Sequence, residues 1–168
     1  MTTPSDLHAI YVQIEMRVQE VVDSRPEWPC RKGCDGCCRR LARVPELTEA
    51  EWGEVQQGIE QLDGAVQQSV QSRLRELSEA PVEGPLMCPL LEPEAGICLV
   101  YAHRPATCRT YGFYVSATGN MWCDDIQTRS EAGMTDGVVL GNQDAVEREL
   151  ARRFGATRSL VEWFRDTL

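Results

Sequence analysis

Four cysteines fall within nine residues of this chain, Cys30, Cys34, Cys37 and Cys38 in "CRKGCDGCC", and four more follow at Cys88, Cys98, Cys108 and Cys123. The spacing is C-x3-C-x2-C-C, then C-x9-C-x9-C-x14-C. Thiolates are soft anionic ligands suited to zinc, copper(I) and iron–sulfur clusters. Short spacings let several of them converge on one ion with little loop-closure entropy, and Gly33 and Gly36 let the backbone curl around it. All eight cysteines are therefore candidate metal ligands. Neighbouring side chains usually diverge, so Cys37 and Cys38 are expected to serve different sites unless one is spare. One grouping joins Cys30, Cys34 and Cys37 with Cys108 and leaves Cys38, Cys88, Cys98 and Cys123 for a second site.

Competing uses of the thiols fit less well. A thioredoxin-like redox motif needs C-x-x-C at the start of a helix inside a βαβ unit. Here Cys34 to Cys37 follows a helix and a proline-rich turn. A hydrolytic zinc site needs an open coordination position and a nearby base. Asp35, Asp124 and Asp125 supply carboxylates beside ligand candidates, but Asp124-Asp125 reads as a solvated turn and no catalytic residue is assigned. His8 reads as a surface or partly buried side chain, whereas His103, between Cys98 and Cys108, is a further ligand candidate. Arg104 and Arg109 bracket Cys108 and are expected to hydrogen-bond thiolate sulfur and offset its charge. Pro105 should hold Arg104 extended and start the turn that presents Cys108.

These residues need a scaffold, and the flanking segments supply helices. Leu7, Ile10, Tyr11, Ile14, Val18, Val21 and Val22 recur at three- and four-residue steps, with Ser5 as an N-cap and Pro26 and Pro29 ending the pattern. Thr48 and Glu51 form a capping box before a stripe of Trp52, Val55, Ile59 and Leu62. A break at Asp63-Gly64 precedes Val66, Val70, Leu74 and Leu77. Residues 81–121 read as short strands and turns, with "EPEAG" as a hairpin bend and a helical turn around Ala106 to Arg109. After Asn142 helix returns with Val146, Leu150 and Phe154 and a Gly155 C-cap. Ser159 and Glu162 then begin another capping box. The expected fold class is α-rich α+β, a small helical domain around an irregular cysteine-rich metal-binding centre with short strands. The chain is expected to be one domain, residues 1–168, with the cysteine-cluster region at about 30–125 between N-terminal and C-terminal helices.

Composition narrows the function. The net charge is -9, with 26 acidic and 17 basic residues, which argues against general affinity for nucleic acid or an anionic membrane. Arg31, Lys32, Arg39, Arg40 and Arg43 are the local exception and read as cations that offset thiolate charge. The N-terminus has no charged-then-apolar leader pattern and no apolar run reaches membrane-span length, so a cytoplasmic location is expected. In that compartment clustered cysteines bind metal or do redox work more often than they form disulfides.

"CRKGCDGCC" followed by "CPLLEPEAGICLVYAHRPATCRTYGF" resembles the YkgJ-type cysteine-cluster family, the CxxCxxCC zinc- or iron-chelating domain. Cys34, Cys37 and Cys38 match its tight motif, with Cys30 preceding at a spacing one residue longer than the simplest signature. Cys88 and Cys98 match its second block, and Arg104, Pro105, Cys108 and Arg109 match its RPxxCR element. The resemblance implies chelation of zinc or iron. Through a flagellin lysine methylase similar over this domain, it also implies redox or protein-modification chemistry. The function expected is a metal-binding protein holding zinc through clustered thiolates, the alternative being an iron–sulfur protein or enzyme. A third reading is a metal-dependent module whose helical face or Trp-bearing C-terminal segment contacts a protein partner.

Overall fold

The computed structural model describes residues 4–79 and 85–167. Among them are eight α-helices: α1 (Pro4–Ser24), α2 (Gly36–Arg39), α3 (Glu49–Glu60), α4 (Gly64–Glu79), α5 (Ala106–Thr110), α6 (Asp124–Glu131), α7 (Gln143–Phe154) and α8 (Leu160–Arg165). The strands are two or three residues each: β1 (Glu46–Leu47), β2 (Leu91–Glu92), β3 (Ile97–Cys98), β4 (Tyr114–Ser116), β5 (Gly119–Asn120), β6 (Gly141–Asn142) and β7 (Arg158–Ser159). This is the α-rich α+β class expected from the sequence. The chain forms two compact units, each made of two stretches: Met1–Lys32 with Ala106–Phe154, and Gly33–Pro105 with Gly155–Leu168.

In the first unit, α1 buries Leu7, Ile10, Tyr11, Ile14 and Val21, the stripe its periodicity dictates. Ser5 lies inside this helix rather than capping it. The helix ends before Pro26, and the Arg25 guanidinium then donates to the carbonyls of Met134 and Asp136 at 3.0 and 2.7 Å. β4 pairs antiparallel with β5 and parallel with β6. Asp124 and Asp125, expected in a solvated turn, open α6 instead, where negative charge complements the helix N-terminus. Only Ile126 of that helix is buried, so it carries no apolar stripe for periodicity to reveal. α7 follows and stops where Gly155 takes a left-handed conformation, φ 85°.

The second unit holds one hydrophobic cluster: Leu47, Trp52, Val55, Ile59, Val70, Leu74, Leu90, Val100, Leu160 and Phe164. Helices α3 and α4 divide at Asp63-Gly64, as expected, and each contributes its apolar stripe to this cluster. β1 pairs with β7, which brings the capping box of α8 beside that of α3. β2 and β3 form the expected hairpin, with Leu91 opposite Cys98 and Glu92 opposite Ile97. Cys88 and Cys98 pack against the edge of the cluster, so the hairpin that carries these thiols is seated on the core.

The α3 capping box is buried as well as formed. Glu51 is 2% exposed, and its carboxylate accepts from the Thr48 backbone N–H and hydroxyl, both at 2.9 Å. Glu51→Ala should therefore lower stability by about 1–3 kcal/mol, because it leaves a buried N–H unpaired. Thermal denaturation checks this, and an unchanged Tm would contradict the assignment of the box as a structural anchor.

Candidate metal centre

The single-turn helix α2 carries Cys37 and Cys38. Their sulfurs lie 4.0 Å apart, so these neighbouring side chains do not diverge. A tetrahedral zinc with bonds of about 2.3 Å places its sulfurs about 3.8 Å apart, so this pair has nearly the spacing that one ion demands. The Cys88 N–H donates to the Cys38 carbonyl at 2.7 Å, and Leu41 and Leu86 exchange both backbone hydrogen bonds in an antiparallel bridge. The chain entering the hairpin is thereby stitched along the chain leaving α2. The Cys88 thiol acts on that of Cys38, and so does the charge of Cys98, on the returning strand β3.

The acidities of these thiols report the crowding. Cys37 is pushed far above the ordinary thiol range by its hydrogen bond with Cys38, by burial and by the Cys38 charge. Cys38 is pulled down by Cys37, yet Cys88, burial and the charges of Cys88 and Cys98 outweigh this and push it up to about 12. Burial raises Cys98, opposed by the Val100 backbone and the positive charge of Arg104. Among the described residues, no three His, Cys, Asp or Glu side chains are gathered tightly enough to hold an ion as they stand. Cys37, Cys38, Cys88 and Cys98 are each half-buried, and the Cys38 thiol is affected by the other three, a donor set chemically suited to a thiophilic ion.

The other cysteines are placed differently. Cys34 is exposed. Cys30, Cys108 and Cys123 belong to the first unit. Cys30 points its sulfur at the Tyr111 carbonyl, 3.7 Å away, and a Cβ at Gly112 would come within 2.9 Å of that sulfur. The Trp28 indole N–H donates to the Gly112 carbonyl at 2.9 Å, so Cys30 sits in a packed niche that only glycine permits. Cys108 lies on α5, and Cys123 immediately precedes α6. None of the eight cysteines forms a disulfide.

The flanking polar residues take definite roles. His103, a ligand candidate by sequence, faces Glu54 with its Nδ1 at 3.3 Å and lies over Gly58 of α3. His8 is exposed. Arg104 is extended, as Pro105 requires, donates to the Tyr101 carbonyl and lies over the Tyr101 ring. Its charge acts on Cys98. Arg109 pairs with Glu15 at 3.0 Å and lies over the Tyr11 ring. Sequence reasoning missed the joint role of Asp35 and Arg39, which bond each other at 2.5 Å and reach the hairpin tip. Opposite charges four residues apart were the available signal.

The family model described as "CxxCxxCC: Putative zinc- or iron-chelating domain" matches residues 29–131, and the chain belongs to this family. All eight cysteines lie within the matched stretch. Comparison with curated proteins and with solved structures gives no match.

The raised pKa values of Cys37, Cys38 and Cys98 fix a pH dependence. An acid whose folded pKa is raised contributes stability that is fully present below its unfolded pKa and is lost progressively as pH rises from there through the folded pKa. Metal-free protein should therefore lose Tm progressively from about pH 8, where unfolded thiols begin to ionise. Metal-loaded protein, whose ligands are already thiolates, should hold its Tm over the same range. Parallel decline of both forms in a pH series of melting curves would contradict the placement of the thiols.

Proposed function

We propose that this member of the chelating family holds zinc through Cys37, Cys38, Cys88 and Cys98, as a structural crosslink of its second unit. The observation that supports the reading is that the Cys37 and Cys38 sulfurs lie 4.0 Å apart and that Cys88 and Cys98, from two other stretches of chain beside the hydrophobic cluster, both act on the Cys38 thiol. A zinc ion bound by four thiolates is redox-inert and ties its ligands together. The chain's own part is to present the thiols and offset their charge. α2 offers the adjacent pair, the Cys88–Cys38 backbone bond aligns the third thiol, β3 brings the fourth, and Arg104 places positive charge near Cys98. Cys30, Cys34, Cys108 and Cys123 stand outside this set.

No helix among the described residues is long and apolar enough to cross a membrane. The reading places the chain in the cytoplasm because eight cysteines without disulfides suit a reducing compartment.

Elemental analysis and the visible spectrum of protein purified without oxygen test the proposal. The expected result is about one zinc per chain in a colourless protein. Cys38→Ser and Cys98→Ser should lose that zinc and Cys34→Ser should keep it. Iron with matching sulfide in a brown protein would overturn zinc in favour of the iron–sulfur reading. Zinc retained in Cys38→Ser would overturn the ligand set.

A further inference from the structure

The structure assigns to Asp35, Arg39 and Gly96 the task of positioning the hairpin thiols against the α2 pair. This inference rests on the four-thiol site proposed above and concerns what holds that site in shape.

Cys88 is held to Cys38 by the backbone and Cys98 is tied to β2 opposite Leu91, while the bend between β2 and β3 has its own attachment to α2. Arg39 supplies it. Its Nε donates to Asp35 Oδ2 at 2.5 Å, and another nitrogen of the same guanidinium donates to the Pro93 carbonyl at 2.8 Å. Asp35 and Arg39 flank the two cysteines of α2, and Pro93 lies in the bend between β2 and β3. One planar fork thus spans from the thiol turn to the hairpin tip, with Asp35 fixing its orientation. Gly96 closes the contact from the hairpin side. It sits at φ 65°, and a Cβ there would lie 2.8 Å from Asp35 Oδ2 and 3.6 Å from an Arg39 guanidinium nitrogen. Any side chain would therefore both strain the bend and wedge it off the carboxylate.

The clamp explains why one cation of the basic cluster differs from its neighbours. Arg40 and Arg43 are exposed on the same stretch and can only add positive charge. Arg39 adds a fixed distance between Cys37–Cys38 and the strand that bears Cys98. Its side chain is 42% exposed and that of Asp35 is 26% exposed, so replacing Arg39 strands no deeply buried charge and should leave the fold intact. Lysine at this position keeps the charge but cannot make two bonds from a planar fork. It therefore separates geometry from electrostatics.

The test uses the full chain. Zinc affinity is measured by competition with a chromophoric chelator, and the cobalt(II)-substituted protein supplies a ligand-field spectrum that reports tetrahedral thiolate geometry. Arg39→Lys and Gly96→Ala should each weaken zinc by about tenfold or more, the range seen when supports of metal ligands are removed. Both should also alter the cobalt spectrum, while Arg40→Ala leaves affinity and spectrum unchanged. Metal-free Arg39→Lys should melt close to the metal-free parent, and it decides the question alone should Gly96→Ala not fold. Parental affinity and spectrum in Arg39→Lys would overturn the clamp, as would an equal loss in Arg40→Ala, which would mean that bulk charge is what counts. Failure of the underlying site shows separately, as a parent chain that binds no zinc or keeps it in Cys38→Ser.

Discussion

Repulsion among crowded sulfurs is the constraint around which the second unit is arranged. Two thiolates 4 Å apart, the spacing of Cys37 and Cys38, repel by about 4 kcal/mol at an effective dielectric near 20, and the proposed site adds Cys88 and Cys98 to that pair. Without a cation the sulfurs stay protonated, as the upward displacement of Cys37, Cys38 and Cys98 records. A divalent ion reverses the sign of every one of those interactions. In the proposed site, the same crowding that disfavours ionisation in the metal-free protein would be the source of affinity for a thiophilic metal.

Much of the surrounding fold exists to make that crowding tolerable. The hydrophobic cluster of α3, α4, α8 and the hairpin gives the second unit its core, and Cys88 and Cys98 pack against it. Backbone hydrogen bonds then bring α2 alongside the hairpin entry, and the Arg39 fork fastens the far end of the hairpin. His103 and Arg104, which follow Cys98 closely, are spent on Glu54 and Tyr101 and hold the next turn against α3. Each attachment limits how far one sulfur can drift from the others.

What could be read from the sequence was local. The Thr48–Glu51 and Ser159–Glu162 boxes, the break at Asp63-Gly64 and the bend at "EPEAG" depend on residues within a few positions of one another, and all appear as expected. The chemistry of the cysteines was equally legible from residue type and spacing, and the matched family agrees with it. Pairing among the thiols was not legible. The contact of Cys37 with Cys38 depends on a one-turn helix, and that of Cys38 with Cys88 on a backbone bond spanning fifty residues. Arg104 illustrates the same limit, since nothing in its spacing announced that its charge acts on Cys98. Helix α6 escaped notice for a different reason: an amphipathic pattern cannot announce a helix that buries a single apolar residue.

The central claim is that one metal ion gathers these four sulfurs. X-ray absorption at the metal edge of the loaded protein tests it most directly, because it counts the scattering neighbours without assuming their identity. The account predicts a zinc edge with a single shell of four sulfurs at about 2.3 Å. A shell dominated by nitrogen or oxygen would contradict it, as would an iron edge with a second iron nearby.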